Sequence, residues 1–98
     1  MNNLEDCKTY LHLMNKLEPS QLNPKLGRGL KMLRELNGST LEFTARKYQC
    51  SRNTVFNIEN ETYKRYIRAD KLFKMLKVLE WDSSLIEFLD LCDLKKFL

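Results

Sequence analysis

The chain has 98 residues, a length that holds one domain of about five helices and excludes two-domain enzymes and eight-stranded barrels. Apolar residues make up 43% and charged residues 31%, as in folded globular chains, while three glycines and two prolines are too few for a turn-rich all-β protein. The net charge is +4, acids occupy the N-terminal residues and no run of eighteen apolar residues occurs, so we expect a cytoplasmic protein without signal peptide or membrane span.

The first predicted element is an amphipathic helix that Pro19 ends, because the residue before a proline avoids the helical region. Asn2 or Asn3 can cap its N-terminus. Its apolar residues recur at helical spacing and form a broad face. They are Leu4, Cys7, Tyr10, Leu11, Leu13, Met14 and Leu17.

The second helix is predicted to begin at Asn23-Pro24, after a connector over residues 18–23. An asparagine side chain can cap a helix, and proline is favoured at the first helical position. Gly27 and Gly29 should weaken the first turn of this helix. An Asn-Gly pair then ends it, since glycine readily adopts the left-handed terminal conformation.

Two short helices separated by a tight connection follow. Residues 39–42, Ser-Thr-Leu-Glu, offer a capping box for a helix through about Tyr48. The connection is Gln49-Cys50, and Ser51 can cap the next helix, predicted over residues 52–60. A short turn between two such helices is typical of a helix-turn-helix.

The second of these short helices is polar on its outer face. Val55 and Ile58 should point inward, which leaves four side chains outside. These are Arg52, Asn53, Phe56 and Asn57. Arginine can read guanine and asparagine can read adenine through paired hydrogen bonds, so this face suits the major groove of DNA; the alternative is a polar surface in solvent.

The rest of the chain is also predicted to be helical. A polar, basic and aromatic loop over residues 61–66 precedes a helix from about Arg68 to Leu79. Ser84 to Glu87 forms another capping box, which opens a last helix through Leu91. No β-type alternation occurs, so the fold class is all-α.

Charge is unevenly distributed along the chain. Residues 1–24 hold two bases and three acids, residues 25–77 hold thirteen bases and five acids, and residues 78–98 hold two bases and five acids. A basic block between acidic ends favours a face that binds a polyanion such as nucleic acid, the alternative being a solvated helical surface.

The order and spacing of these motifs resemble the phage repressor/Cro-type (XRE-like) helix-turn-helix family. The segments that carry the resemblance are Arg34, Thr40 to Ala45, Gln49 to Ser51, Val55, Ile58 to Glu61, and Leu72 to Trp81. The resemblance covers residues 26–90. It implies a five-helix DNA-binding domain over residues 24–91, with an added N-terminal helix over residues 1–18 and a C-terminal helical extension over residues 92–98.

The resemblance also implies roles for individual residues. Expected base contacts are Arg52, Asn53, Asn57 and Phe56, although Phe56 can instead pack against the following loop. Expected contacts to the DNA backbone come from Thr40, Ser51, Thr54, Asn60, Lys64, Arg65 and Arg68. Arg34 and Glu59 match a partly buried salt bridge of the family. Leu41 stands where the family often has a glutamine that contacts phosphate, and Glu61 replaces a frequent glycine.

Neither catalysis nor a cofactor is expected. The single histidine, His12, lies in the first helix, away from every motif. Cys7, Cys50 and Cys92 are odd in number and widely spaced, which fits buried or half-buried free thiols better than a disulfide framework or a metal site.

The sequence thus predicts a sequence-specific transcriptional regulator of a bacterium, plasmid or phage, a repressor that binds double-stranded DNA as a homodimer. The apolar residues of the two chain ends suggest dimerisation through one of them, unless both pack on their own protomer. The alternative is an antitoxin or adaptor that binds a partner protein through its terminal helices.

Overall fold

The computed structural model describes residues 4–98. Within them six α-helices and one 3-10 helix form the fold and no strand occurs, so the all-α prediction is confirmed. The elements are α1 (Leu4–Lys16), α2 (Pro19–Leu36), α3 (Leu41–Tyr48), α4 (Arg52–Glu59), α5 (Ala69–Val78), α6 (Leu85–Leu91) and the 3-10 helix Lys95–Phe97. The suggested caps Asn2 and Asn3 lie outside the described residues. Among residues 4–98, none of the helices combines the length and the hydrophobicity that a membrane span requires.

The predicted start of α2 is wrong. The helix begins at Pro19, which takes the first helical position, and the backbone N–H of Glu18 donates to Oε1 of Gln21 at 2.9 Å. Pro24 therefore lies inside the helix. Asn23 is no cap, because it is only 1% exposed and its amide is used in a long-range contact described below. Residues 19–23 of the predicted connector are therefore helical.

Side-chain caps start three of the later helices. The backbone N–H groups of Thr54 and Glu87 donate to the hydroxyls of Ser51 and Ser84, both at 3.1 Å, so these two predicted caps are confirmed. In α3 the cap is Thr40, one residue later than the predicted capping box requires, and its hydroxyl accepts from Phe43. The starts of α3, α4 and α6 are thereby defined by local sequence.

One hydrophobic core contains residues from both ends of the chain. Tyr10 and Leu13 of α1 are fully buried in it, and so is Leu94, beyond α6. The terminal segments therefore pack on the same core as the central helices. The division at residues 18, 24 and 91 stays a prediction about domain organisation. Five apolar side chains of the terminal segments remain substantially exposed: Leu4, Leu11, Ile86, Leu91 and Leu98.

The two glycines of α2 lie in the middle of the helix, not in its first turn, and they allow other elements to approach closely. A Cβ at Gly27 would lie 2.0 Å from the carbonyl oxygen of Ile58, so the backbones of α2 and α4 touch there. A Cβ at Gly29 would lie 2.4 Å from Sγ of Cys92. Both glycines are thus required by packing rather than by the end of a helix.

The cysteines are free, with Cys7 and Cys50 half-buried and Cys92 buried, which confirms the expected burial. Burial raises the pKa of the Cys92 thiol to about 12, which keeps it protonated and unreactive at neutral pH. Within residues 4–98 no three or more histidine, cysteine or acidic side chains form a group that could hold a metal ion.

Candidate nucleic-acid interface

Helices α3 and α4 and the turn between them form the helix-turn-helix. Ala45 is only 3% exposed, and its small side chain lets the helices cross closely. The turn begins at Gln49, whose φ of 61° places it in the left-handed region that glycine usually occupies. The N–H of Cys50 then donates to the carbonyl of Ala45 at 3.1 Å. Gln49 therefore makes the turn in a conformation that favours glycine.

Helix α4 is divided into an inner and an outer face. Val55, Ile58 and Glu59 are buried against the core. The outer face consists of the four predicted base contacts, all exposed: Arg52, Asn53, Phe56 and Asn57. Phe56 is 44% exposed, which leaves much of its ring accessible beside the polar side chains. The structure thus brings the four side chains together on one accessible surface, which is named the outer face of α4 below.

Two of the outer-face side chains have partners within the chain. Nε of Arg52 lies 3.2 Å from Oε1 of Glu42 in α3, a pairing that the sequence pattern does not reveal. Oδ1 of Asn57 accepts from the hydroxyl of Thr62 at 3.0 Å. The Arg52 pair is half exposed, so it orients the guanidinium more than it stabilises the fold. The Arg52 side chain is itself half exposed, so its guanidinium remains accessible from solvent.

Four of the predicted backbone contacts use their side chains at helix ends. The hydroxyls of Thr40 and Ser51 accept backbone N–H groups, and Thr54 shares a 2.9 Å hydrogen bond with Ser51. Nδ2 of Asn60 donates to the carbonyl of Phe56 at 2.8 Å. These side chains define the ends of α3 and α4. Ser51 accepts the N–H groups of Thr54 and Val55, whereas those of Arg52 and Asn53, the first two of α4, have no preceding helical carbonyl to bind and so suit a phosphate oxygen.

The basic loop, residues 61–68, connects α4 to α5. Lys64, Arg65 and Arg68 are exposed on it, as expected of phosphate contacts. Arg68 lies 3.4 Å from a carboxylate oxygen of Asp70, in a pair exposed to solvent. The carboxylate of Glu61 is 3.0 Å from Arg28, which offsets the acid that this chain has in place of a glycine.

Side chains of the first two helices hold the backbone of the basic loop. Nδ2 of Asn23 donates to the carbonyls of Tyr63 at 3.0 Å and Arg65 at 2.6 Å, and the hydroxyl of Tyr10 donates to that of Ile67 at 2.7 Å. In the opposite direction the Tyr66 hydroxyl contacts the carbonyls of Met14 at 3.0 Å and Leu17 at 2.6 Å. Sequence reasoning missed these contacts, because Asn23 also satisfies the local rule for a cap.

Arg34 and Glu59 form a bidentate pair between α2 and α4. Nε and Nη2 of Arg34 lie 2.7 and 2.9 Å from the two carboxylate oxygens, and Nη1 donates to the carbonyl of Ser39 at 2.7 Å. The Glu59 side chain is only 2% exposed and that of Arg34 12%. The hydrogen bonds to Glu59 raise the pKa of Arg34. The pair fixes α4 against α2 and so orients the outer face.

Comparison with known families agrees with this geometry. A family model described as helix-turn-helix matches residues 30–81, just over half of the chain, and these residues include α3, α4, the basic loop and α5. No curated protein and no solved structure matches the chain. The matching family consists of DNA-binding regulators and is not a family of enzymes. The chain therefore belongs to the XRE/Cro-type helix-turn-helix family.

Proposed function

We propose that this DNA-binding regulator is a repressor that recognises a specific, two-fold symmetric operator as a homodimer. The observation that carries the proposal is the outer face of α4, where Arg52, Asn53 and Asn57 lie exposed beside a capped helix N-terminus. Arginine and asparagine are the side chains that form bidentate contacts with guanine and adenine in the major groove.

In the proposed complex the N-terminus of α4 enters the major groove. Arg52 pairs with guanine through its terminal nitrogens while Glu42 holds its Nε, and Asn53 and Asn57 contact adenine. The ring of Phe56 lies against a thymine methyl group. Lys64, Arg65 and Arg68 neutralise phosphates beside the groove, and the helix-end residues Thr40, Ser51, Thr54 and Asn60 contact the backbone. The bound protein then excludes polymerase from the site.

The proposed dimer joins two copies through the terminal segments. Leu4, Leu11, Ile86, Leu91 and Leu98 remain exposed there, each at 40% or more, and apolar side chains in solvent favour association. A two-fold dimer would set two recognition helices about 34 Å apart, one turn of DNA. Sedimentation of the purified chain tests the proposed dimer, since a monomer at micromolar concentration contradicts a homodimer.

The same exposed side chains favour a second candidate function, an antitoxin or adaptor that binds a partner protein through its terminal helices.

DNA binding is expected to weaken steeply with salt. The basic block over residues 25–77 should neutralise several phosphates and release their counterions, so the log–log slope of affinity against salt should be about −4 to −8. Titration of the protein against a duplex selected from random DNA, at four or five salt concentrations, measures the slope. A slope near zero on every duplex would contradict DNA binding by this block.

Base contacts and phosphate contacts should respond differently to mutation. Arg52→Ala and Asn53→Ala should each cost about 1–3 kcal/mol on the cognate duplex and little on a scrambled one, because only base contacts carry sequence. Lys64→Ala and Arg65→Ala should weaken both duplexes almost equally and reduce the salt slope by about one each.

The measurement is a titration of the four variants against both duplexes at one fixed salt concentration, repeated for the two loop variants at four or five salt concentrations to obtain the slope. The loop variants serve as matched controls for the helix variants, since all four are exposed and polar in the free protein. If the loop variants lose discrimination and the helix variants keep it, the basic loop reads the sequence and the recognition helix is not α4.

A further inference from the structure

The basic loop has no regular secondary structure between α4 and α5, yet its backbone is fixed at three alternate positions. The carbonyls of Tyr63, Arg65 and Ile67 all accept hydrogen bonds from side chains of α1 and α2. These three carbonyls therefore face the two N-terminal helices. The side chains of Lys64, Arg65 and Arg68 remain exposed. The N-terminal helices thus bind the loop through its backbone and leave its cations accessible.

The donors of these bonds are built into the core. Tyr10 is 0% exposed and Asn23 is 1% exposed, so neither side chain can touch DNA. Tyr66 adds the reciprocal contact, because its hydroxyl bonds to the carbonyls of Met14 and Leu17 where α1 ends. Loss of the Tyr10 hydroxyl would leave the carbonyl of the buried Ile67 without its partner, and the loop would then sample other conformations.

A fixed loop matters for binding because ordering a mobile segment costs conformational entropy. If the loop were mobile in the free protein, part of the energy of each phosphate contact would be spent on ordering it. We propose that Tyr10, Asn23 and Tyr66 are positioning residues for DNA binding, which hold the basic loop in its phosphate-binding conformation before DNA arrives. This proposal rests on the proposed function. It gives α1, which lies outside the matched family segment, a role in affinity.

The test uses a pair of conservative variants in the full chain. Tyr10→Phe removes only the hydroxyl that donates to Ile67. Tyr48→Phe is the matched control, because Tyr48 is also buried but its hydroxyl has no hydrogen-bond partner within residues 4–98. Tyr10→Phe should weaken binding to cognate and scrambled duplexes alike by about three- to tenfold, with their ratio unchanged, whereas Tyr48→Phe should leave both affinities unchanged.

A second measurement separates positioning from general destabilisation. The measurement is a double-mutant cycle on DNA affinity. Lys64→Ala should reduce affinity less in the Tyr10→Phe background than in the wild type, because in Tyr10→Phe the free protein no longer holds Lys64 in its binding position. The same comparison with Tyr66→Phe should show the same coupling. Hydrogen exchange at the backbone amides of residues 62–68 should be faster in Tyr10→Phe than in Tyr48→Phe.

The outcomes distinguish the two proposals. If the wild type binds DNA with the expected salt dependence but Tyr10→Phe matches Tyr48→Phe in affinity and in the cycle, positioning by Tyr10 is overturned and the proposed function stands. If the wild type shows no salt-dependent binding, the proposed function fails first. Equal loss of affinity in Tyr10→Phe and Tyr48→Phe would show a general packing effect and would also overturn positioning.

Discussion

Gly27→Ala is expected to lower the free energy of unfolding by about 3 kcal/mol, which corresponds to a fall in Tm of about 15 °C for a domain of this size. The added Cβ would lie 2.0 Å from the carbonyl oxygen of Ile58, a backbone atom that cannot rotate away. Helices α2 and α4 must therefore separate, and this strain outweighs the gain of about 1 kcal/mol in helix propensity. Denaturant unfolding followed by circular dichroism measures the change.

Two further glycines supply matched controls. Gly29→Ala, in the same helix, meets only side-chain atoms, Sγ of Cys92 at 2.4 Å and the ring of Phe88 at 3.2 Å, so its cost should be smaller than that of a clash with backbone. Gly38→Ala meets no atom within 4 Å, but the φ of +67° should cost about 1 kcal/mol. If Gly27→Ala were no more harmful than Gly38→Ala, the close crossing of α2 and α4 would be wrong.

Breaking the pair between Arg34 and Glu59 should cost about 1–4 kcal/mol with either partner removed, as Arg34→Met or Glu59→Gln. Each change leaves the remaining side chain largely buried without its partner, since the Glu59 side chain is 2% exposed and that of Arg34 is 12% exposed. The double variant should lose less than the sum of the single losses. Thermal unfolding of the four proteins gives the coupling energy, and strict additivity would contradict the observed contact.

Titration of the Arg34 guanidinium should not change the stability that this pair contributes at pH values near neutrality. Glu59 raises the pKa of Arg34, which is already far above neutrality in the unfolded chain. A raised pKa in the folded state means that the contribution is complete below the unfolded pKa and is lost only as pH rises through the folded one. The loss therefore occurs only in strong alkali, and thermal unfolding of the wild type and of Arg34→Met should differ by the same amount at pH 7 and pH 9.

Local sequence signals predicted most helices, because caps and apolar spacing act over a few residues. The hydroxyls of Ser51 and Ser84 cap α4 and α6 as expected. The start of α2 was predicted wrongly at Asn23-Pro24, because asparagine before proline satisfies the local rule for a helix start. In the structure Asn23 lies inside the helix, where its side chain makes long-range hydrogen bonds to the basic loop. Tertiary structure thus overrode a local preference.

The outer face of α4 was predictable from helical spacing alone, since residues at positions i, i+1, i+4 and i+5 share a side of the helix. The partners of that face were not. Glu42 reaches Arg52 only because the turn folds α3 against α4, and Arg28 reaches Glu61 across 33 positions of the chain. Such pairs depend on the angle between helices, which spacing within one helix does not encode.

The order in which the chain folds follows from the anchoring of the basic loop. Helical proteins usually fold quickly because most of their contacts are local. Here the bonds that shape the loop join Asn23 to residues 40 and 42 positions away and Tyr10 to Ile67, 57 positions away. Closing such long segments costs conformational entropy, and only the packing of docked helices offsets this cost. We therefore expect α3 and α4 to form early and the loop to acquire its final shape last, once α1 has docked.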